Sequence, residues 1–191
     1  RVDRRQRQMC IRDRALRAAV GGADSDRAAT AFGIRNVVSD LTAEGYRRFS
    51  INGQPLLIRG AGWAPDMFLR DDPARLETEF AYVRNLGLNT LRTEGKLEDQ
   101  RFYELADRDG LLILAGWECC DMWESAVQTG GVPWEAHDFD VAHASMATEA
   151  RLLRNHPSVI GFLIGSDNAP PPALARLYLD ALHAAHWSLP V

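Results

Sequence analysis

The sequence predicts an α/β fold: the first half of a (β/α)8 TIM barrel, entered through a short β segment. Three observations carry that expectation. From Leu56 onward, short apolar runs alternate four times with helix-period segments, the pattern of parallel strands joined by right-handed crossovers. The run Leu111–Ala115 is apolar throughout, as a strand covered on both faces requires. Four such units take roughly 135 residues, against about 250 for a complete eight-unit barrel. The rival, a doubly wound sheet, would place a glycine-rich phosphate turn after its first strand. Here Gly60-Ala61-Gly62-Trp63-Ala64-Pro65 sets Trp and Pro where a phosphate needs bare backbone.

In chain order, residues 1–14 carry six Arg against Asp3 and Asp13, a local +4 within a chain of net charge −4. They lack apolar periodicity and lead into an Ala/Gly/Asp stretch, so residues 1–31 read as a disordered or non-native tail outside the fold. Residues 32–55 read as a β linker: Phe32-Gly33-Ile34-Arg35 opens a strand, and Asn52-Gly53 marks a tight hairpin turn. Residues 56–191 read as the half barrel. Its strands are expected at 56–62, 88–93, 111–115 and 159–165. The first helix carries Leu76, Phe80 and Val83 and ends at Gly87; the second carries Phe102, Leu105 and Ala106 and ends at Gly110. The third carries Val141, Met146, Ala150 and Leu153 and is stopped at Asn155-His156-Pro157, and the fourth carries Leu174, Leu177, Tyr178, Ala181 and Leu182.

Composition removes several function classes. The negative balance leaves no sustained basic face for nucleic acid. No apolar run approaches the roughly 20 residues that cross a bilayer, so no membrane partner is expected. Cys10, Cys119 and Cys120 cannot form a disulfide framework, and no His and Asn pattern points to a nucleophilic thiol. No cofactor or metal is expected: the five His are scattered, with His183 and His186 on the fourth helix. The compartment stays open.

Acids fall at the strand ends. Asp66 follows the first strand, Glu94 the second, Glu118 the third and Asp167 the fourth. In a barrel these ends share the face that carries active sites, and convergent carboxylates suit protonation of a leaving group beside developing positive charge. Trp63, Trp117 and Trp123 follow the same strand ends, where flat aromatic faces suit stacking on a sugar ring, so an oligosaccharide is the expected partner. Each residue also has a plainer reading. Asp167 could cap the fourth helix, Glu94 could pair with Arg92 or Lys96, Asp66 could be a Pro-Asp turn residue, and Glu118 could only shape a loop.

Four ordered motifs resemble glycoside hydrolase family 2: Phe32-Gly33-Ile34-Arg35; Ile51-Asn52-Gly53 with Leu57-Ile58-Arg59-Gly60; Gly87-Leu88-Asn89-Thr90-Leu91-Arg92; and Asn155-His156-Pro157-Ser158-Val159-Ile160. The resemblance spans residues 32 to about 190. It implies a retaining enzyme in which jelly-roll and immunoglobulin-like domains precede the barrel, Phe32–Arg35 leading out of the last sandwich. Most members end the fourth strand in Asn-Glu, whereas this chain has Ser166-Asp167, and it has Thr93-Glu94-Gly95 where a Ser-His or similar pair is usual. Both departures resemble the exo-β-D-glucosaminidase branch, as do Trp63-Ala64-Pro65-Asp66-Met67-Phe68-Leu69-Arg70 and Gly116-Trp117-Glu118-Cys119-Cys120-Asp121. The resemblance implies Asp167 as general acid/base, Glu94 as partner of a substrate ammonium, and a nucleophilic Glu ending a seventh strand. On this reading the chain is a piece of a longer hydrolase, inactive alone. It would lack the N-terminal sandwich domains and the second half of the barrel. The alternatives are a β-mannosidase or β-galactosidase of the same family, or a non-catalytic carbohydrate-binding relative.

Overall fold

A computed structural model describes residues 10–93, 97–117, 124 and 134–191. The strands are β1 (Cys10–Val20), β2 (Ala23–Ile34), β3 (Val37–Leu41), β4 (Arg47–Ile51), β5 (Gln54–Leu56), β6 (Gly60–Trp63), β7 (Thr90–Thr93), β8 (Leu112–Gly116) and β9 (Val159–Leu163). The helices are α1 (Pro73–Asn85), α2 (Gln100–Asp109), α3 (Ala136–Leu153) and α4 (Pro172–Ala184). Strands β6 to β9 form one parallel sheet in the order β6-β7-β8-β9. Sequential order without reversal is the barrel topology, since a doubly wound sheet reverses at its switch point.

Strand alternation divides the sheet into two faces. Ile113 and Ala115 of β8 join Leu91, Val159 and Phe162 under the helices, against Phe80, Phe102, Met146 and Tyr178. Leu112 and Ile160 turn the other way and bury themselves with Val37 and Phe49, with Ile51, Leu56 and Leu114 packed around them. Among the described residues, helices α1 to α4 therefore share one face, and the small antiparallel sheet β3-β4-β5 covers apolar surface on the other. The linker is a plug for the inner barrel wall.

Helix ends follow local chemistry. Asp72 accepts the backbone N–H groups of Ala74 and Arg75 ahead of Pro73, and Asp99 accepts that of Phe102. Gly110, at φ 72°, closes α2 in the left-handed region that costs other residues most. The Asn52-Gly53 turn has φ of 52° and 76°, as a two-residue hairpin demands.

Three expectations need correction. Residues 10–34, expected as part of a tail and an opening strand, form the β1-β2 antiparallel hairpin about Gly21-Gly22, both with positive φ. Arg17 and Arg27 both pair with Asp24 beside that turn and hold its carboxyl below the usual range. The first barrel strand starts at Gly60, not Leu56, because Leu56 pairs with Phe49 in the plug sheet. Val141 is exposed: the buried stripe of α3 runs through Ala142, Met146, Ala150 and Leu153, one position away.

Two motifs far apart in sequence meet as one joint. Arg35 donates through Nη2 to the carbonyls of His156 (3.1 Å) and Val159 (2.6 Å). His156 Nδ1 lies 2.7 Å from Asp107 Oδ2, and Asp107 Oδ1 accepts the Ser158 N–H. Gly33 is needed there, since a Cβ on it would sit 2.2 Å from the Pro157 Cβ.

Candidate active site

The strand alternation that builds the core also sorts the predicted site residues. Trp117 follows Ile113 and Ala115 in parity, so its ring enters the helix layer. It is buried, stacks at a tilt on Tyr178, and donates its indole N–H to the Tyr178 hydroxyl at 3.0 Å. Trp63 does the same at the end of β6, packing on Phe80 and Phe102 and donating to Glu98 Oε1 at 3.2 Å. Burial pushes the Glu98 carboxyl above the usual range, and the Trp63 indole acts against that push. Trp117 offers no free face for a sugar ring, whereas Trp63 is only half-buried and lines a cavity with Asp66 and Glu98. Both brace the walls beneath the rim.

Asp66 is an anchor for its own loop. Its carboxylate accepts the Phe68 N–H at 2.9 Å, the Arg70 guanidinium at 2.7 and 3.0 Å, and Arg75 Nη1 at 2.5 Å. The bonds from Arg70 and the Phe68 amide hold this carboxyl far below the ordinary carboxylate range. Asp66, Trp63 and Glu98 line one cavity of about 330 Å³, whereas Asp167 lines another of about 300 Å³ with Ser166, Asn168 and Val191. Glu94 and Glu118, with Trp123, lie outside the described residues.

The Asp66 clamp has a pH signature. Above about pH 4 the unfolded chain's aspartates are ionised too, so the clamp contributes fully. Below that, the unfolded chain takes up a proton that folded Asp66 still refuses, and the contribution is lost as pH falls toward the depressed folded value. Asp66→Asn is expected to be less stable than the parent at pH 7, with the difference shrinking below about pH 4. Urea unfolding of both proteins across this range checks it; a difference independent of pH would contradict it.

Asp167 stands apart. It is exposed on the segment between β9 and α4, and it does not cap α4, whose N-cap position is Pro171 with no side-chain cap bond. The loop is held tightly from two sides. A Cβ at Gly165 would lie 2.6 Å from the Asn168 carbonyl oxygen. Opposite, Glu124 Oε1 accepts the backbone N–H groups of Asp167 at 2.9 Å and Asn168 at 3.1 Å. Glu124, which sequence reasoning missed, is fully buried; it falls in the long stretch after Cys120, where periodicity gives no signal. An exposed carboxyl on a fixed rim loop can exchange a proton with a bound molecule, which a carboxylate saturated by arginines cannot.

Residues 44–189 match the glycosyl hydrolases family 2 TIM barrel domain. The exo-β-D-glucosaminidase of Streptomyces avermitilis is 51% identical over 178 residues, which are 92% of this chain and 20% of that protein. The crystal structure of the Amycolatopsis orientalis exo-chitosanase superposes with a TM-score of 0.86 at 48% identity, covering 95% of this chain and 22% of that one. A more distant relative, the mannosylglycoprotein endo-β-mannosidase of Lilium longiflorum, is 32% identical over 163 residues, 81% of this chain and 17% of that protein. The chain spans about a fifth of the length of these relatives. With four barrel strands in sequential order, an inner face plugged by the preceding β sheet and a domain match across most of its length, the chain belongs to glycoside hydrolase family 2.

Proposed function

We propose that the chain forms the N-terminal half of the catalytic barrel in a longer, retaining, exo-acting hydrolase that releases β-linked glucosamine from chitosan oligosaccharides. The observation that carries this reading is the Asp167 carboxyl, exposed at the C-terminal end of β9 on an anchored loop and not used as a helix cap. The likeness to exo-β-D-glucosaminidases at about half identity supports the substrate class. So does an A. orientalis exo-chitosanase complex with PNP-β-D-glucosamine, a structure 49% identical to this chain with a TM-score of 0.86.

In this mechanism Asp167 donates its proton to the glycosidic oxygen as the C–O bond breaks. A second carboxylate, about 5 Å away across the bond, attacks the anomeric carbon and forms a covalent glycosyl-enzyme. Asp167, now ionised, takes a proton from water as that water displaces the enzyme carboxylate. By family resemblance the nucleophile is a Glu at the end of the seventh strand, contributed by the other half of the barrel. Glu94 pairs with the substrate ammonium and Glu118 adds negative charge at the rim, so attraction rises for a cationic sugar and not for a neutral one. Asp66, Trp63 and Trp117 act through the walls and loop that frame the subsite.

The test is kcat/KM of the complete hydrolase for a β-glucosaminide and its matched β-mannoside and β-galactoside. A preference of about 100-fold or more for the glucosaminide is expected, with Glu94→Gln losing most of it. Equal or better turnover of the neutral sugars would discard the glucosaminide assignment and leave the family.

A further inference from the structure

We propose that Glu124 is the positioning residue of the acid/base, holding the Asp167 carboxyl in register with the glycosidic oxygen by gripping the backbone at Asp167 and Asn168. This rests on the reading of Asp167 given above. Glu124 is 0% exposed, and a carboxylate is stable out of water only when hydrogen bonds replace its hydration. One of its oxygens takes two successive N–H groups, those of Asp167 at 2.9 Å and Asn168 at 3.1 Å. Helix α4 does not begin until Pro172, so these amides are loop amides and not part of its first turn.

The consequence is geometric. Asp167 reaches solvent from a short side chain, so the direction of its carboxyl follows its own backbone more closely than that of a longer acid would. The backbone there is fixed on one side by the close approach of Gly165 to the Asn168 carbonyl and on the other by Glu124. Small misplacements of an acid relative to the oxygen it protonates are costly in rate. Glu124 lies 43 residues before Asp167 in the chain, so the anchor also ties the segment after β8 to the one after β9.

The experiment uses the complete hydrolase with Glu124→Ala, Glu124→Asp, Glu124→Gln and Asp167→Ala. The substrates are a glucosamine dimer, with a poor leaving group, and a 2,4-dinitrophenyl β-glucosaminide, which leaves without a proton. Glu124→Ala and Glu124→Asp should lower kcat/KM for the dimer by about 10²-fold, with less than about fivefold change on the activated substrate. Glu124→Gln keeps a carbonyl oxygen that can accept both N–H groups and should stay within about threefold of the parent on both substrates. Glu124→Asp keeps charge and nearly all the volume, so it decides the matter if the alanine variant fails to fold. Equal loss on the two substrates, no loss on the dimer, or a Gln variant as impaired as Asp would overturn the proposal. If Asp167→Ala itself lacks the leaving-group signature, the acid/base reading falls. If it shows the signature and the Glu124 variants do not, only the role of Glu124 falls.

Discussion

Replacing Asp167 by Ala in the complete hydrolase is expected to lower kcat/KM for chitosan oligosaccharides by about 10²- to 10⁴-fold, the usual range for a lost general acid. Activated aryl glucosaminides should keep kcat/KM close to that of the parent, because their leaving groups depart without protonation. The contrast between substrates is the diagnostic quantity. A helix cap would behave differently: its loss costs about 1 kcal/mol of stability and treats all substrates alike. The cap reading already sits poorly with Pro171 at the N-cap position of α4, and a variant that lost only thermal stability would restore it.

Trp117→Ala is expected to be the most destabilising single substitution among the predicted site residues, at about 3–5 kcal/mol by urea unfolding. The ring is buried in the helix-side core, tilted against Tyr178, and its indole N–H is bonded to the Tyr178 hydroxyl. Removing it leaves a cavity that strand β8 and helix α4 cannot both collapse into. Trp117→Phe keeps most of the volume and loses the hydrogen bond, so it should cost about 0.5–1.5 kcal/mol. A Trp117→Ala protein as stable as its parent, with weakened sugar binding, would return Trp117 to the stacking platform that its place after β8 suggests.

Much of the fold was legible because local and global signals agreed. Strands β8 and β9 stand out as short apolar runs, α1 and α2 are closed by Gly87 and Gly110, and Asn52-Gly53 announces its hairpin. The hairpin at 10–34 was hidden because residues 15–29 are exposed and alternate weakly, though Gly21-Gly22 was a usable turn signal. At the rim, position was readable and partnership was not. The strand-end rule finds Asp66 and Asp167 equally, but in the fold Arg70 and Arg75 occupy the first while the second is exposed. The two tryptophans are instructive in another way. Counting alternate residues from Ile113 to Trp117, or from Ala61 to Trp63, sends both rings toward the helices, an inference the sequence permits once the inner face of the strand is known. Glu124 had no such cue, since its contacts to residues 167 and 168 follow from tertiary closure.

The most direct test of the acid/base assignment is the product formed by Asp167→Ala with azide and a 2,4-dinitrophenyl β-glucosaminide. With the base gone, water is slow to release the glycosyl-enzyme, and azide, which needs no deprotonation, should attack in its place. Azide should raise kcat and yield β-glucosaminyl azide, its configuration retained by two successive inversions at the anomeric carbon. No rate increase and no azide adduct would contradict the assignment of Asp167 as the acid/base of a retaining hydrolase.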